Sequence, residues 1–261
     1  MPTVAQIEQA LFQLAPKDLA FDWDNVGHLE GSPDQEVQRV LVALDVTENL
    51  VSEAEKLGCQ LIVSHHPLMN VRWHQAEMQT LRPNRYLGRL LRRLVKADIS
   101  VISMHTNLDI APGGVNDALA EALRIEDPGP MPGDETGLCR VGRLRNPVKL
   151  SDFAGEVCKA LHANGVRYAG ARPVEYIAAC GDEIDAVIAA GCDTFVTSDL
   201  TYHQFLDAAP KGINLIDAGH FPTEDPVCAK IVAYLEKEFP QLIIIKSTSH
   251  KEVIQYFVEG E

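Results

Sequence analysis

The sequence predicts an α/β protein built from two similar three-layer domains with mostly parallel sheets. Three observations lead there. Apolar runs of strand length alternate with segments of helical period, the pattern of strand–helix–strand units. One stretch rich in Pro, Gly and Asp, residues 126–136, interrupts that alternation and reads as a linker. A strand–helix–strand unit ending in polar residues occurs on each side of it, closing at 61–66 and again at 194–199. The expected domains are residues 1–125 with 215–261, and residues 126–214, joined by a linker near 126–137.

The elements follow in order. Thr3 and Gln6 fit a capping box that opens an amphipathic N-terminal helix. Residues 40–45 read as a buried strand. Thr47 caps a helix through Lys56, and Gly58 stops it. Residues 59–64 and 99–103 are strands, with a helix over 85–96 between them whose Leu87, Leu90, Leu91 and Leu94 form a buried stripe. Pro112, Gly113 and Gly114 precede a helix over 115–123. Beyond the linker, helices are expected over 151–162, 183–190, 202–208 and 223–239, the last with Pro226 in its first turn. Strands are expected over 176–180, 194–197, 213–217, 242–245 and 253–257.

Composition bounds the function. The 261 residues are 46% hydrophobic and carry a formal net charge of −14; the mean hydropathy is −0.05 and the isoelectric point near 5.0. Such a surface repels nucleic acid and anionic membranes, so neither is an expected partner. The basic residues Arg82, Arg85, Arg89, Arg92, Arg93 and Lys96 have helical spacing and read as the solvated face of their helix, with a phosphate-binding or subunit-contact role as the alternative. The six cysteines form no Cys-x-x-Cys pair, and most sit in apolar runs, so free buried thiols of a reducing compartment are expected. The N-terminus shows no charged-then-apolar targeting pattern, and no apolar run reaches membrane-spanning length. The expected location is the cytoplasm.

The chemistry concentrates at strand ends, where open α/β sheets place their ligands. His65 and His66 close the apolar run Leu61-Ile62-Val63-Ser64. Neighbours on a strand face opposite sides, so both reach one site only if the chain leaves the strand at His65; Pro67 favours that by holding His66 extended and ending the ladder. His105 and Asp109 follow the next strand, and His220 and Glu224 follow the strand over 213–217. His220 is expected in the loop after Gly219, with Glu224 in the first helical turn. Three histidines and two carboxylates (His65, His66, Asp109, His220 and Glu224) are enough ligands for more than one divalent ion. Histidine and carboxylate without thiolate suit Zn, Mn, Fe, Co or Ni. His105 is either a further ligand or a group behind the ligands. His74, His162 and His250 read as surface residues, His28 as isolated, Asp22, Asp24 and Asn25 as a turn, and Gly181-Asp182-Glu183 as a helix start.

Five segments together resemble a known family: Trp23-Asp24-Asn25-Val26-Gly27; Val63-Ser64-His65-His66-Pro67-Leu68; His105-Thr106-Asn107-Leu108-Asp109 with Gly113-Gly114-Val115-Asn116-Asp117; Thr197-Ser198-Asp199-Leu200-Thr201-Tyr202-His203; and Gly219-His220-Phe221-Pro222-Thr223-Glu224. The family is the GTP cyclohydrolase 1 type 2 proteins, also called NIF-three-like dinuclear-metal-centre proteins. The resemblance implies a NIF-three-like, two-domain α/β fold, a toroidal homohexamer, and two divalent ions per subunit held by His65, His66, Asp109, His220 and Glu224.

Two function classes stay open at this point. One is a metal-dependent hydrolase, acting on GTP or on a phosphoester, with His105 or His203 as proton shuttle and a nucleotide or other small molecule as substrate. The other is a non-catalytic metal-binding ring that serves as scaffold or regulator, which the absence of a P-loop favours.

Overall fold

The computed structural model describes residues 1–69, 80–179 and 184–257. The expectations for His74 and for Gly181-Asp182-Glu183 therefore lie outside the described residues. In chain order the elements are α1 (Val4–Leu14), β1 (Gly27–Glu30), β2 (Arg39–Ala43), α2 (Glu48–Leu57), β3 (Leu61–Ser64), α3 (Tyr86–Ala97), β4 (Ser100–Ser103), α4 (Thr106–Ile110), α5 (Val115–Ala122), β5 (Glu126–Pro130), β6 (Arg140–Val148), α6 (Leu150–Ala160), β7 (Arg167–Ala169), β8 (Val174–Ala179), α7 (Ile184–Ala189), β9 (Thr194–Thr197), α8 (Tyr202–Lys211), β10 (Asn214–Asp217), α9 (His220–Glu224), α10 (Pro226–Glu238) and β11 (Ile243–Lys246). They form two compact units, Met1–Gly114 with Val227–Lys251, and Val115–Pro226 with Glu252–Glu261.

The first unit holds a five-stranded sheet in the order β1-β4-β3-β2-β11. All its pairings are parallel except that of β1 with β4. Leu41, Ile62 and Val101 point into a core shared with Leu50, Val51 and Ala54 of α2 and Leu90, Leu91 and Leu94 of α3. Their strand neighbours Val40, Val42, Leu61, Val63 and Ile102 are also fully buried, as expected of parallel strands covered on both faces. α1 begins with the Thr3–Gln6 capping box, and Tyr234 of α10 donates to the Ala10 carbonyl at 2.7 Å. The basic face of α3 is tied to α2: Arg89 meets Glu48 at 3.1 Å and Arg93 meets Glu55 at 2.6 Å.

The second unit holds a six-stranded sheet in the order β5-β6-β8-β9-β10-β7. Its centre, β8-β9-β10, is parallel; β5, β6 and β7 are antiparallel additions. Alternate strand residues serve opposite faces. Ile177, Ala179, Val196 and Ile216 pack with Leu119 of α5 and Phe153 and Val157 of α6. Ala178, Phe195 and Leu215 pack with Val187 of α7 and Ala208 of α8. α5, which the sequence groups with the first domain, packs in this unit.

Several local expectations are corrected. The linker at 126–136 contains a strand, β5, whose Pro128 and Pro130 are tolerated because it lies at the sheet edge and is irregular in register between Glu126 and Gly129. Residues 253–257 form no strand; Val253 and Phe257 are almost fully exposed. The helix expected over 223–239 is two helices: Pro226 begins α10, where its missing N–H costs nothing. Cys59, Cys158, Cys192 and Cys228 are not in disulfides, but Cys139 is disulfide-bonded. No helix among the described residues is long and apolar enough to cross a membrane.

Candidate metal centre

In the first unit β3 ends at Ser64, one residue before the paired histidines, as the sequence requires. The His65 and His66 amides still donate to Ala43 and Leu44 carbonyls, at 3.2 and 2.9 Å. The chain therefore turns without losing its anchorage to β2. Ser64 Oγ donates to the His66 carbonyl at 2.9 Å and closes the turn. The two rings come to rest 4.9 Å apart, centroid to centroid. His105 follows β4, the neighbour of β3, and its ring lies 5.2 Å from that of His65 and 5.7 Å from that of His66. The three residues are buried and offer nitrogens that all lie within 4.8 Å of one another. Asp109, on α4, places Oδ1 3.4 Å from His65 Nε2.

Each of the three rings is oriented from behind through Nδ1. His65 Nδ1 meets the Met104 carbonyl at 2.8 Å. A carbonyl only accepts, so this nitrogen carries a proton. His66 Nδ1 donates to Asp45 at 2.7 Å, and His105 Nδ1 donates to both oxygens of Asp24, at 2.9 and 3.0 Å. The Asp24 side chain is fully buried. Burial alone would raise its carboxyl, but the hydrogen bonds and charge of His105 and the donors of Thr106 outweigh it and bring the pKa down to about 2. Asp45 is likewise held well below the usual carboxylate range: burial opposes ionisation, while His250 and His66 favour it. Both acids are thus acceptors, which fixes the tautomer of the ring each holds. Three imidazoles held through Nδ1 form a group from which ligands of a divalent ion can be drawn.

In the second unit Gly219, at φ +86°, turns the chain from β10 into α9, a conformation that glycine alone adopts without strain. His220 is the first residue of that helix rather than a loop residue, so it shares a face with Glu224 four positions on; His220 Nε2 and Glu224 Oε2 are 3.1 Å apart. Asp199, in the left-handed region at φ +58°, accepts from His220 Nδ1 at 2.7 Å. Asp199 and Glu224 together raise His220 to about 11 against the opposing effect of burial. Asp217, at the end of β10, accepts from the Leu200 and Gly219 amides, both at 3.0 Å, and so holds the two turns that carry Asp199 and His220. Arg167 pairs with the same carboxylate. His203 lies exposed at the start of α8, with its ring edge-on to Tyr202.

Four acids that sequence reasoning left aside therefore orient the histidines: Asp24, Asp45, Asp199 and Asp217. Asp24 is no mere turn residue. Asp45 and Asp217 carried a readable signal, since each is a lone acid that directly follows apolar residues at a strand end. His250, expected at the surface, is largely buried and meets Asp45 at 2.9 Å. His28 bonds the Glu30 carbonyl within its own strand, and nothing draws it to the other histidines.

The chain is similar to several known proteins. The chain is 38% identical over 252 residues to the GTP cyclohydrolase 1 type 2 homolog of Streptomyces coelicolor, covering 91% of this chain and 87% of that one. It is 34% identical over 230 residues to the protein of that name from Clostridium perfringens, covering 84% and 85%. Of solved structures, a Bacillus cereus protein related to NIF3 superposes with a TM-score of 0.89 over 98% of this chain and 99% of that one, at 22% identity, a likeness of fold alone. A Staphylococcus aureus protein reaches 0.86 at 28% identity, with the same coverage. The Duf34/NIF3 (NGG1p interacting factor 3) family model spans residues 2–252, nearly the whole of both units. The chain belongs to that family.

Proposed function

We propose that this protein binds two divalent metal ions and uses them as a hydrolase, with chemistry of the kind named by its GTP cyclohydrolase 1 type 2 homolog relatives. The observation that carries the reading is the triple lock on Nδ1 of His65, His66 and His105 by Met104, Asp45 and Asp24. A purely structural histidine cluster does not need every ring fixed in one tautomer. We assign His65, His66, Asp109, His220 and Glu224 as ligands of the two ions, drawn from Zn, Fe, Mn, Co and Ni. Such ions supply Lewis acidity and lower the pKa of water.

The chain's own residues supply the rest. His105, backed by ionised Asp24, presents Nε2 as a proton acceptor, and the imidazolium it becomes is stabilised by that carboxylate. This is the arrangement of a general base with its orienting acid. His203, exposed and without such a backing acid in its surroundings as described, is the weaker candidate for the same role. A cyclohydrolase or phosphoesterase step needs water added to an electrophilic carbon or phosphorus and a proton moved to the leaving group, and that transfer is the role assigned to His105. The substrate class is a nucleotide or another small molecule, and the assembly a homohexameric ring in the cytoplasm.

The net charge of −14 works against a triphosphate substrate and favours a second reading, a non-catalytic metal-binding scaffold. Elemental analysis and turnover separate the two. His66→Ala and Glu224→Ala lower bound metal; His105→Gln keeps metal and loses pterin formation from GTP, while His203→Gln keeps both. Unchanged metal in His66→Ala refutes the site. Full metal with no product from wild type, where a known cyclohydrolase works, leaves the scaffold reading.

A further inference from the structure

His66 is held through a carboxylate that is itself held. Asp45 accepts from His66 Nδ1 on Oδ1 at 2.7 Å, and His250 Nε2 lies against the same residue, 2.9 Å from Oδ2 and 3.2 Å from the Asp45 amide nitrogen. The Asp45 side chain is 43% exposed, whereas the rings of His66 and His250 are each 10% exposed. A carboxylate so exposed and bonded at one oxygen can rotate into water. Bonded at both, it cannot rotate without breaking one bond.

His250 is mounted with unusual care for a residue in the segment after the last strand. Ser247 donates its amide to the Val42 carbonyl at 2.8 Å. Its hydroxyl accepts from the Ser249 and His250 amides at 3.2 and 3.1 Å and donates to Glu53 at 2.5 Å. Glu53, on α2, also accepts from the Thr248 amide and hydroxyl at 2.9 and 3.0 Å and from the Ser249 hydroxyl at 2.6 Å. One carboxylate thus gathers three consecutive residues, and the fourth is the histidine that reaches Asp45. A surface tie-down alone would not require the chain to end this turn on an imidazole aimed at a carboxylate that already serves another histidine.

We propose that His250 is a positioning residue of the metal centre, fixing the His66 ring through Asp45, with Glu53 and the turn 247–249 as its mount. The proposal rests on the metal-site reading above and extends it by one residue outward on each of two elements. Groups that orient a metal-bound histidine are commonly worth 10–100-fold in affinity; His250 stands one bond further out, so about tenfold is expected.

The test uses the full chain stripped with chelator and titrated with Zn2+ alone, its dissociation constant read by competition with a chromophoric chelator. His250→Leu is expected to weaken Zn2+ about tenfold, at the site that His66→Ala removes. His250→Asn, which keeps an N–H donor, restores most of it. In an Asp45→Asn background His250→Leu is expected to add nothing, because it acts only through Asp45. A merely structural role predicts the opposite pattern: equal loss for Leu and Asn, and losses that add to Asp45→Asn. Should His250→Leu fail to fold, Glu53→Gln loosens the mount with His250 intact and is expected to weaken Zn2+ by a smaller factor; full affinity there overturns the proposal. Full affinity in a folded His250→Leu overturns it too and leaves the metal site standing. No Zn2+ binding by wild type overturns the site itself.

Discussion

Replacing Asp24 with Asn tests whether the site's architecture depends on an ionised acid. The Asp24 side chain is fully buried and receives His105 Nδ1, the Thr106 amide at 3.0 Å and the Thr106 hydroxyl at 2.6 Å. Its pKa falls from 3.8 in the unfolded chain to about 2 in the folded one. At 1.36 kcal/mol per unit, ionised Asp24 contributes about 2 kcal/mol. Because the folded value lies below the unfolded one, that contribution is present in full above pH 5, falls as pH drops through 4, and is roughly halved by pH 3. Asparagine keeps the shape and removes the charge; its amide nitrogen faces a donor, an arrangement that costs about 1–3 kcal/mol when buried. Urea unfolding of the metal-stripped protein should show Asp24→Asn less stable than wild type by about 2 kcal/mol at pH 7. The gap should narrow toward pH 3, and the melting temperature at pH 7 should drop by roughly 4–8 °C. A difference under about 0.5 kcal/mol at pH 7, or a gap that stays constant with acid, would refute the assignment of Asp24 as the charged anchor of His105.

Three further outcomes follow from packing and backbone geometry. A Cβ at Gly114 would lie 1.8 Å from the Leu108 carbonyl oxygen, next to Asp109; Gly114→Ala should cost about 3 kcal/mol and lower bound metal, and a stable, fully metallated variant would contradict the α4 placement. Phe195 is completely buried in β9; Phe195→Ala should destabilise the second unit by about 3–5 kcal/mol by calorimetry. Thr3→Ala removes the capping-box acceptor for the Gln6 amide and should cost about 1 kcal/mol, detectable as a lower denaturant midpoint.

Much of the fold was legible because its signals are local. Thr47 and Gly58 bound α2 as caps on each side of an amphipathic run, and an apolar run closed by two histidines marked the end of β3. β1, β6 and β7 left no such trace. β6 alternates into solvent along much of its length, with arginines at 143 and 145, so its place comes from pairing rather than from an apolar pattern. Residues 253–257 show the reverse: the strand propensity is there, but no sheet edge among the described residues takes them up. For the site, the residues of metal-binding type were readable, whereas their supports were not. Asp24 finds His105 81 positions away and Asp45 finds His250 205 positions away. Only the assembled sheet brings such partners together.

The placement of β11 has a consequence for how the protein is made. β11 completes the first sheet by pairing in parallel with β2, residue for residue from Ile243 opposite Arg39 to Lys246 opposite Val42. Ala43 and Ile243 are 200 positions apart in the chain. At a ribosomal pace of roughly 5–20 residues per second, the outer edge of β2 emerges about 10–40 s before its partner exists. Through that interval the nascent first unit presents an open, apolar strand edge, the kind of surface that recruits other strands. The main segment of the second unit, Val115–Pro226, is synthesised while it waits. β11 then seals that edge and, a few residues later, the chain delivers His250 to Asp45, so the anchorage of His66 becomes complete long after His66 itself is made.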